Sequence, residues 1–505
     1  MTITPILLEP PVSTTATPAS EPETPLAPVA AGAPPGTSAG RRRSIGPLVL
    51  RLHFYAGVLI APFLVVAALT GLAFIFTPQL DSVVYAHELR VDAGAAPARP
   101  LAEQVVAARA AHPDGELASV LPPVEATDTT QVVFNLPYLG EKQHTVYVDP
   151  YTNEVRGTLT TWFGETPLMT WLDDLHRNLH LGVVGRHYSE LAASWLWVVV
   201  LGGLFLWLRR QWTGRRKLRR TVLPDLAANV GVRRTRSWHA ATGVWLAIGL
   251  LALSATGLTW SRYAGGNFDI VQNEFNAHSP TLETALPGAA PGGHADGGGH
   301  HGGGTTTGDF DPADVDRVTS IAREAGVDGK VIVTPPAEPG TAWVVAQDDP
   351  FWPYGWDRVA VDPATGSVVA RSDFADWPLL AQLSKLGVAF HMGFLFGIVN
   401  QILLAALAVG LLCVIVWGYR MWWQRRPTRA DRRAPLGTPP DRGAWRQAHP
   451  LVAFVALLVA VAVGWALPTL GVTLAAFLVV DVILGVLQRR RARRAIPTSP
   501  APTRN

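Results

Sequence analysis

The chain has 505 residues, 48% of them apolar and only 16% charged, with a formal net charge of +3 and a single cysteine. Charges this sparse, gathered between long apolar runs, exclude an ordinary soluble domain and predict an integral membrane protein. Cys413 alone excludes an intrachain disulfide, a Cys-ligated iron–sulfur cluster and a zinc finger within one chain. The positive charges read as loop anchors, so no nucleic-acid partner is expected.

Residues 1–44, rich in Pro, Ala and Thr, read as a disordered cytoplasmic N-terminus. They lack the early, short apolar core of a cleavable signal, and the first apolar run is long enough to stay in a bilayer. Spans are expected over 45–78, 189–210, 238–262 and 387–424, with a C-terminal transmembrane hairpin over 448–488 and a cytoplasmic tail over 489–505. That makes about six, a duplicated core of four plus the hairpin, each near the roughly 20 residues that cross a bilayer. Basic clusters at Arg41–Arg43, in the loop 211–237, in the loop 425–447 and at Arg489–Arg494 then share one side. The positive-inside rule puts both termini in the cytoplasm.

Two small α+β modules face outward, over 79–188 and 263–386. Each reads as a short helix followed by strands with alternating Val. Asp149-Pro150 recurs as Asp362-Pro363, where a half-buried hairpin needs turn residues. The second module carries a Gly-rich insertion over 292–304 whose His294, His300 and His301 form a weak candidate site for Zn, Cu or Ni, set against an unstructured linker.

An internal duplication organises the histidines. His53, Gly57, Thr70 and Gly71 recur at a constant offset of 186 as His239, Gly243, Thr256 and Gly257. His176, Gly182 and Trp207 recur at an offset of 215 as His391, Gly397 and Trp422. His53 and His239 start spans on the basic side, and His176 and His391 stand at the outer starts of spans two and four. A pair of imidazoles on each side of a membrane is what two bis-histidine haems require. Gly57 and Gly243 follow their histidines by about one turn on the same face, where a missing side chain lets a flat ring approach, and the two Thr-Gly pairs mark a second close approach. His180, four residues after His176, is a rival ligand. The 215 offset favours His176 and leaves His180 near the haem edge or propionates. His87, His112, His144, His187, His278 and His449 have no duplicate and read as loop residues.

Trp195, Trp197, Trp207, Trp212, Trp417, Trp422 and Trp423 read mostly as an interfacial belt. Arg177, Arg186, Arg262 and Arg358 are outward positives able to pair with propionates or an anionic ligand. The chain contains no P-loop, dinucleotide-binding glycine fingerprint, G-x-S-x-G or H-E-x-x-H, so electrons must come from an unidentified cytoplasmic or membrane donor.

The motifs R-L-H-x-x-x-G-V, L-H-R-N-L-H-L-G-x-x-G-R, W-H-x-x-x-G-V and H-M-G-x-L-F-G-x-x-N-Q, over about residues 45–426, resemble the PepSY-associated transmembrane helix family. Its better understood members resemble inner-membrane ferric-siderophore reductases and iron-regulated membrane proteins. The resemblance implies PepSY-like outer modules and two b-type haems held by His53, His176, His239 and His391. It further implies an oxidoreductase of a bacterial inner membrane that reduces a ferric siderophore or other ferric chelate for iron acquisition. His180, the His/Gly insertion and the hairpin after 448 depart from the pattern. Two alternatives stay open: a non-catalytic membrane scaffold regulating a peptidase, and a His-rich metal-handling protein. A homodimer is also left open.

Overall fold

A computed structural model describes residues 45–162, 164–214, 222–288, 294–295, 310–351, 353–425 and 449–494. The expectations for residues 1–44, for His300 and His301, and for most of the basic clusters concern residues outside these.

The chain runs α1 (Gly46–Leu59), α2 (Ala61–Ile75), α3 (Thr77–Val84), α4 (Ala86–Leu89) and α5 (Leu101–Ala111), then β1 (Glu116–Leu121), β2 (Thr130–Asn135), β3 (Gln143–Val148) and β4 (Val155–Thr161). After α6 (Pro167–Asn178), α7 (Gly182–Gly214), α8 (Val232–Leu258) and α9 (Ala264–Glu274) come the two-residue β5 (Leu282–Glu283) and β6 (His294–Ala295), then α10 (Asp314–Glu324). The second half ends with β7 (Val331–Thr334), β8 (Trp343–Gln347), β9 (Arg358–Asp362), β10 (Ser367–Ser372), α11 (Leu379–Met392), α12 (Ile398–Gln424), α13 (Pro450–Ala466) and α14 (Pro468–Arg494).

Among the described residues four helices are long and apolar enough to cross a membrane: α7, α8, α12 and the Pro468–Gln488 part of α14. Helices α1 and α2, bent by 55°, pass the same test of length and composition only when taken together, and counted as one span they bring the number to five. Helix α13 is apolar but has 17 residues. The six expected spans thus become four straight ones, one broken one and one short helix. The break has a local cause. Pro62 has no N–H to give the Val58 carbonyl, and the Tyr419 hydroxyl of α12 donates to that oxygen instead, at 2.9 Å.

The C-terminal helices dock on the core through specific polar contacts. Arg51, 3% exposed on α1, pairs with Asp481 of α14. Trp195 of α7 donates its Nε1–H to Thr473 Oγ1 at 2.8 Å. Trp195 is 4% exposed, so it is a core residue and not a member of an interfacial belt. Trp212, at 77% exposed, and Trp423, at 65%, keep outward positions.

The two outer modules are one body, not two. Strands β1–β4 and β7–β10 each form an antiparallel set, and β1 pairs with β7 at Val120 and Val333 to give a continuous sheet of order β10-β9-β8-β7-β1-β2-β3-β4. Helices α5 and α10 share its hydrophobic core with Val105, Ala108, Val318 and Ala322. They are also fastened to each other. Pro100 offers no side-chain cap to α5, and Asp316 of α10 accepts hydrogen bonds from Leu101 N and Ala102 N at 2.7 and 2.9 Å, where a carboxylate suits the helix dipole. Asp149 and Asp362 are turn residues, accepting from Tyr151 N and Ala364 N at 2.8 and 2.9 Å.

Candidate functional site

The four duplicated histidines form two cross-helix pairs. On the side of the basic loops, His53 of α1 faces His239 of α8 with ring centroids 6.3 Å apart. On the side of the sheet, His176 of α6 faces His391 of α11 at 6.4 Å. His239 and Thr256, which touches His391, lie on the same unbroken helix α8, so the two pairs are roughly 25 Å apart along it, at about 1.5 Å per residue.

Each imidazole is anchored through Nδ1. His53 Nδ1 lies 2.9 Å from the Val199 carbonyl of α7, and His239 Nδ1 lies 2.9 Å from the Val414 carbonyl of α12. A carbonyl only accepts, so both nitrogens carry the proton and Nε2 keeps its lone pair. On the sheet side the partners are hydroxyls, Thr70 Oγ1 at 2.9 Å from His176 Nδ1 and Thr256 Oγ1 at 2.8 Å from His391 Nδ1. The anchors obey the same duplication as the histidines: Val199 and Val414 are offset by 215, Thr70 and Thr256 by 186.

Glycines set the depth to which the rings sink. A Cβ on Gly71 would meet His176 Cε1 at 3.0 Å, and one on Gly257 would meet His391 Cε1 at 3.2 Å. On the basic side, Gly203 of α7 and Gly418 of α12 underlie His53 and His239, where an added Cβ would stand 3.2 and 3.6 Å from the respective Cε1 atoms. Gly57 and Gly243 play a different part. A Cβ there would meet no atom within 4 Å, because both glycines line a cavity of about 2040 Å³ that His53 and His239 share with Arg210, Arg233, Arg236 and Arg425.

Short helices present the sheet-side pair. Helix α6 ends at Asn178 and is followed by Leu179 and His180, whose φ values of 54° and 55° turn the chain before α7. Helix α11 ends at Gly393, φ 87°, and a turn through Gly397, φ 55°, leads into α12. Span four was expected to run through His391, but it starts only at Ile398. Asn400 Nδ2 donates to the Phe390 carbonyl at 2.9 Å, and Gln79 Nε2 to Gln401 Oε1 at 2.8 Å. This explains the N-Q pair of the motif: both side chains are 1% exposed and hold the turn that carries His391.

At the foot of α6, Thr166 Oγ1 donates to Asp81 Oδ2 at 2.8 Å and accepts from Met169 N at 3.1 Å. Burial pushes the neighbouring Glu165 carboxyl up to about 7, against the opposing pull of Lys330.

His180 is exposed and packs on Trp171 with ring centroids 4.9 Å apart, whereas it is His176 that faces His391. His294 lies in β6, and His300 and His301 fall outside the described residues. Among the described residues no group of three or more His, Cys, Asp or Glu side chains could hold a metal ion. The outward arginines have protein partners: Arg177 pairs with Asp173 and Asp174, Arg186 donates to the Trp260 carbonyl, Arg358 to the Pro280 carbonyl, and Arg262 lies over Tyr263.

Fold and site together define a multi-pass membrane protein built by duplication, with a histidine pair between helices on each side of its membrane core. The chain belongs to the PepSY-associated TM region family, whose sequence pattern matches residues 50–425. The C-terminal helices α13 and α14 lie beyond that match. No curated protein matches the chain.

Proposed function

We propose that this protein is a transmembrane electron-transfer protein of the ferric-chelate reductase type, with two b-type haems, one held by His53 and His239 and the other by His176 and His391. The observation that carries the reading is the spacing of the pairs. An imidazole nitrogen binds a metal ion at about 2.0–2.1 Å and sits about 1.1 Å from its ring centre, so two imidazoles sharing one ion would have ring centres about 6.2–6.4 Å apart. The measured separations are 6.3 and 6.4 Å. The donor set also fits, since each pair offers two Nε2 lone pairs and a porphyrin brings the remaining four nitrogens.

When bound, a haem in such a site supplies a one-electron centre whose iron has no open position, which suits electron transfer better than oxygen binding. The chain's own residues do the rest. Val199, Val414, Thr70 and Thr256 fix the imidazole tautomers. Gly57 and Gly243 leave the wall of the basic-side cavity flat, and Arg210, Arg233, Arg236 and Arg425 supply positive charge for propionates. The apolar core of Leu64, Trp195, Leu250 and Leu411 keeps water out between the two pairs.

In this reading the protein lies in a bacterial cytoplasmic membrane with both termini inside, because Arg209, Arg210, Arg233, Arg234, Arg236 and Arg425 mark the cytoplasmic side. The sheet then stands outside, next to the pair that delivers electrons to a ferric chelate, with a cytoplasmic or membrane donor on the other side. Siderophore oxygens are hard donors that hold Fe(III) better than Fe(II), so reduction loosens the metal for uptake.

The test is haem stoichiometry of protein purified from haem-sufficient cells. Two haems per chain with a reducible b-type spectrum are expected, His53→Ala and His176→Ala should each lose one, and His180→Ala should lose none. Absence of haem, with none bound on reconstitution, would reject the proposal.

A further inference from the structure

We propose that His112 and His144 form a zinc site on the sheet, in which His112 Nε2 and His144 Nδ1 bind one ion. The site is separate from the two pairs between the helices and does not depend on the haem reading.

Four elements bring these two rings together. His112 caps the C-terminal end of α5, its N–H on the Arg109 carbonyl at 3.1 Å, and its ring packs on Phe134 of β2 with centroids 5.7 Å apart. His144 lies within β3, not in a loop, and stands between Phe134 of β2 and Thr160 of β4 in the register of the sheet. The result is that His144 Nδ1 lies 3.3 Å from His112 Nε2, with ring centroids 5.0 Å apart.

Those two distances separate a shared ion from a hydrogen bond. In a straight N–H···N bond each nitrogen points at the other, and with each nitrogen about 1.1 Å from its ring centre the centroids would stand about 5.5 Å apart. The rings are closer than that, as they are when their axes converge on a point beside the N···N line. At a zinc–nitrogen distance of about 2.0–2.1 Å, the 3.3 Å separation subtends about 107° at the ion and puts the centroids about 5.1 Å apart. One ion position thus meets both measurements, close to the tetrahedral angle of zinc. Square-planar copper would need the nitrogens about 2.9 Å apart.

The surroundings suit a ligand role. Burial, and then the neighbouring His112, lower the pKa of His144, so its lone pair is available to a metal at neutral pH. With Nδ1 on the ion, Nε2 carries the hydrogen and donates to Thr160 Oγ1, 3.1 Å away, which is the second contact that orients a ligating imidazole. His112 is exposed and His144 half-buried, so an ion can enter from solvent. Two tetrahedral positions remain for water, and with half the protein donors of a structural zinc the ion is exchangeable. Bound here, it ties the end of α5 to β3.

The experiment is a calorimetric Zn2+ titration of the purified full chain in micelles, with zinc-edge X-ray absorption on the one-equivalent complex. One ion with two imidazole nitrogens at about 2.0–2.1 Å is expected. Thr160→Val should weaken binding by about 10–100-fold, and His112→Ala and His144→Ala should each weaken it further than that. Replacing His294, His300 and His301 together by Ala should leave it unchanged. If that triple substitution abolishes binding while His112→Ala and His144→Ala do not, the ion belongs to the insertion and the inference is wrong. It is equally wrong if no zinc binds, or if the absorption spectrum shows fewer than two imidazoles. Should His144→Ala fail to fold, His112→Ala and the wild-type spectrum decide. Haem content is a separate readout, so a chain without haem that still binds zinc at these residues rejects only the haem reading.

Discussion

Replacing Tyr419 with Phe should destabilise the protein through a carbonyl 361 positions away in sequence. Pro62 leaves the Val58 oxygen without its helical donor, and the bilayer core offers no water to replace it. The Tyr419 hydroxyl fills that vacancy at 2.9 Å. Removing it strands a part-buried acceptor, which costs about 1–3 kcal/mol. In a Pro62→Ala background the residue 62 N–H returns and can reach Val58 itself, so the same Tyr419→Phe change should cost about 0.5 kcal/mol or less. The double-mutant cycle then has a coupling energy of about 1–2 kcal/mol. Equilibrium unfolding in mixed micelles measures it. Additive effects of the two substitutions would refute the reasoning, because they would mean that Tyr419 stabilises by packing alone. The position matters for the site as well. His53 lies about 10 Å from the break at about 1.5 Å per residue, so a change of about 10° in the bend would swing its ring by about 2 Å.

Two further outcomes are expected. Glu165 holds its proton up to about pH 7 when folded, against 4.5 when unfolded; the stability this contributes is complete below pH 4.5 and is lost as pH rises through 7. Thermal melts of wild type should therefore fall between about pH 5 and about pH 7.5, and Glu165→Gln should flatten the profile; an unchanged slope would remove Glu165 as its source. Arg51 and Asp481 pair within the span region, so Asp481→Ala should cost about 3–5 kcal/mol, whereas Arg51→Met with Asp481→Leu should recover most of it. If the double substitution is worse than the single one, the pair is a net stabiliser and not a compensated burial of charge.

The histidines, the glycines beside them and the apolar runs were legible because duplication prints the same spacing twice. His53 and His239 can be matched by counting, and so can the Thr-Gly pairs. What Thr70 and Thr256 do could not be read so easily. A threonine four residues beyond its own carbonyl partner looks like any other helical threonine, and its imidazole partner lies 106 or 135 positions away. The preference for His176 over His180 was carried by the offset of Gly182 and Gly397; in the structure it is His176 that faces His391, and two successive left-handed residues, Leu179 and His180, follow the helix that carries it. The joining of the modules into one sheet had no local signal. β1 and β7 are both ordinary half-buried strands, and their pairing depends on the shape of the whole. The broken first span did have a signal, Pro62, but hydropathy alone passes over it.

The continuous sheet separates the mechanical fates of the two pairs. His176 follows β4 and His391 follows β10, the two outermost strands of one eight-stranded body. Their spacing is therefore clamped from outside the bilayer, like the jaws of a calliper whose beam is the sheet. His53 and His239 have no such beam and are spaced by the spans alone. Changes in lipid thickness or lateral pressure should then act on the basic-side pair first, so that the membrane can tune the spacing of His53 and His239 while that of His176 and His391 stays fixed.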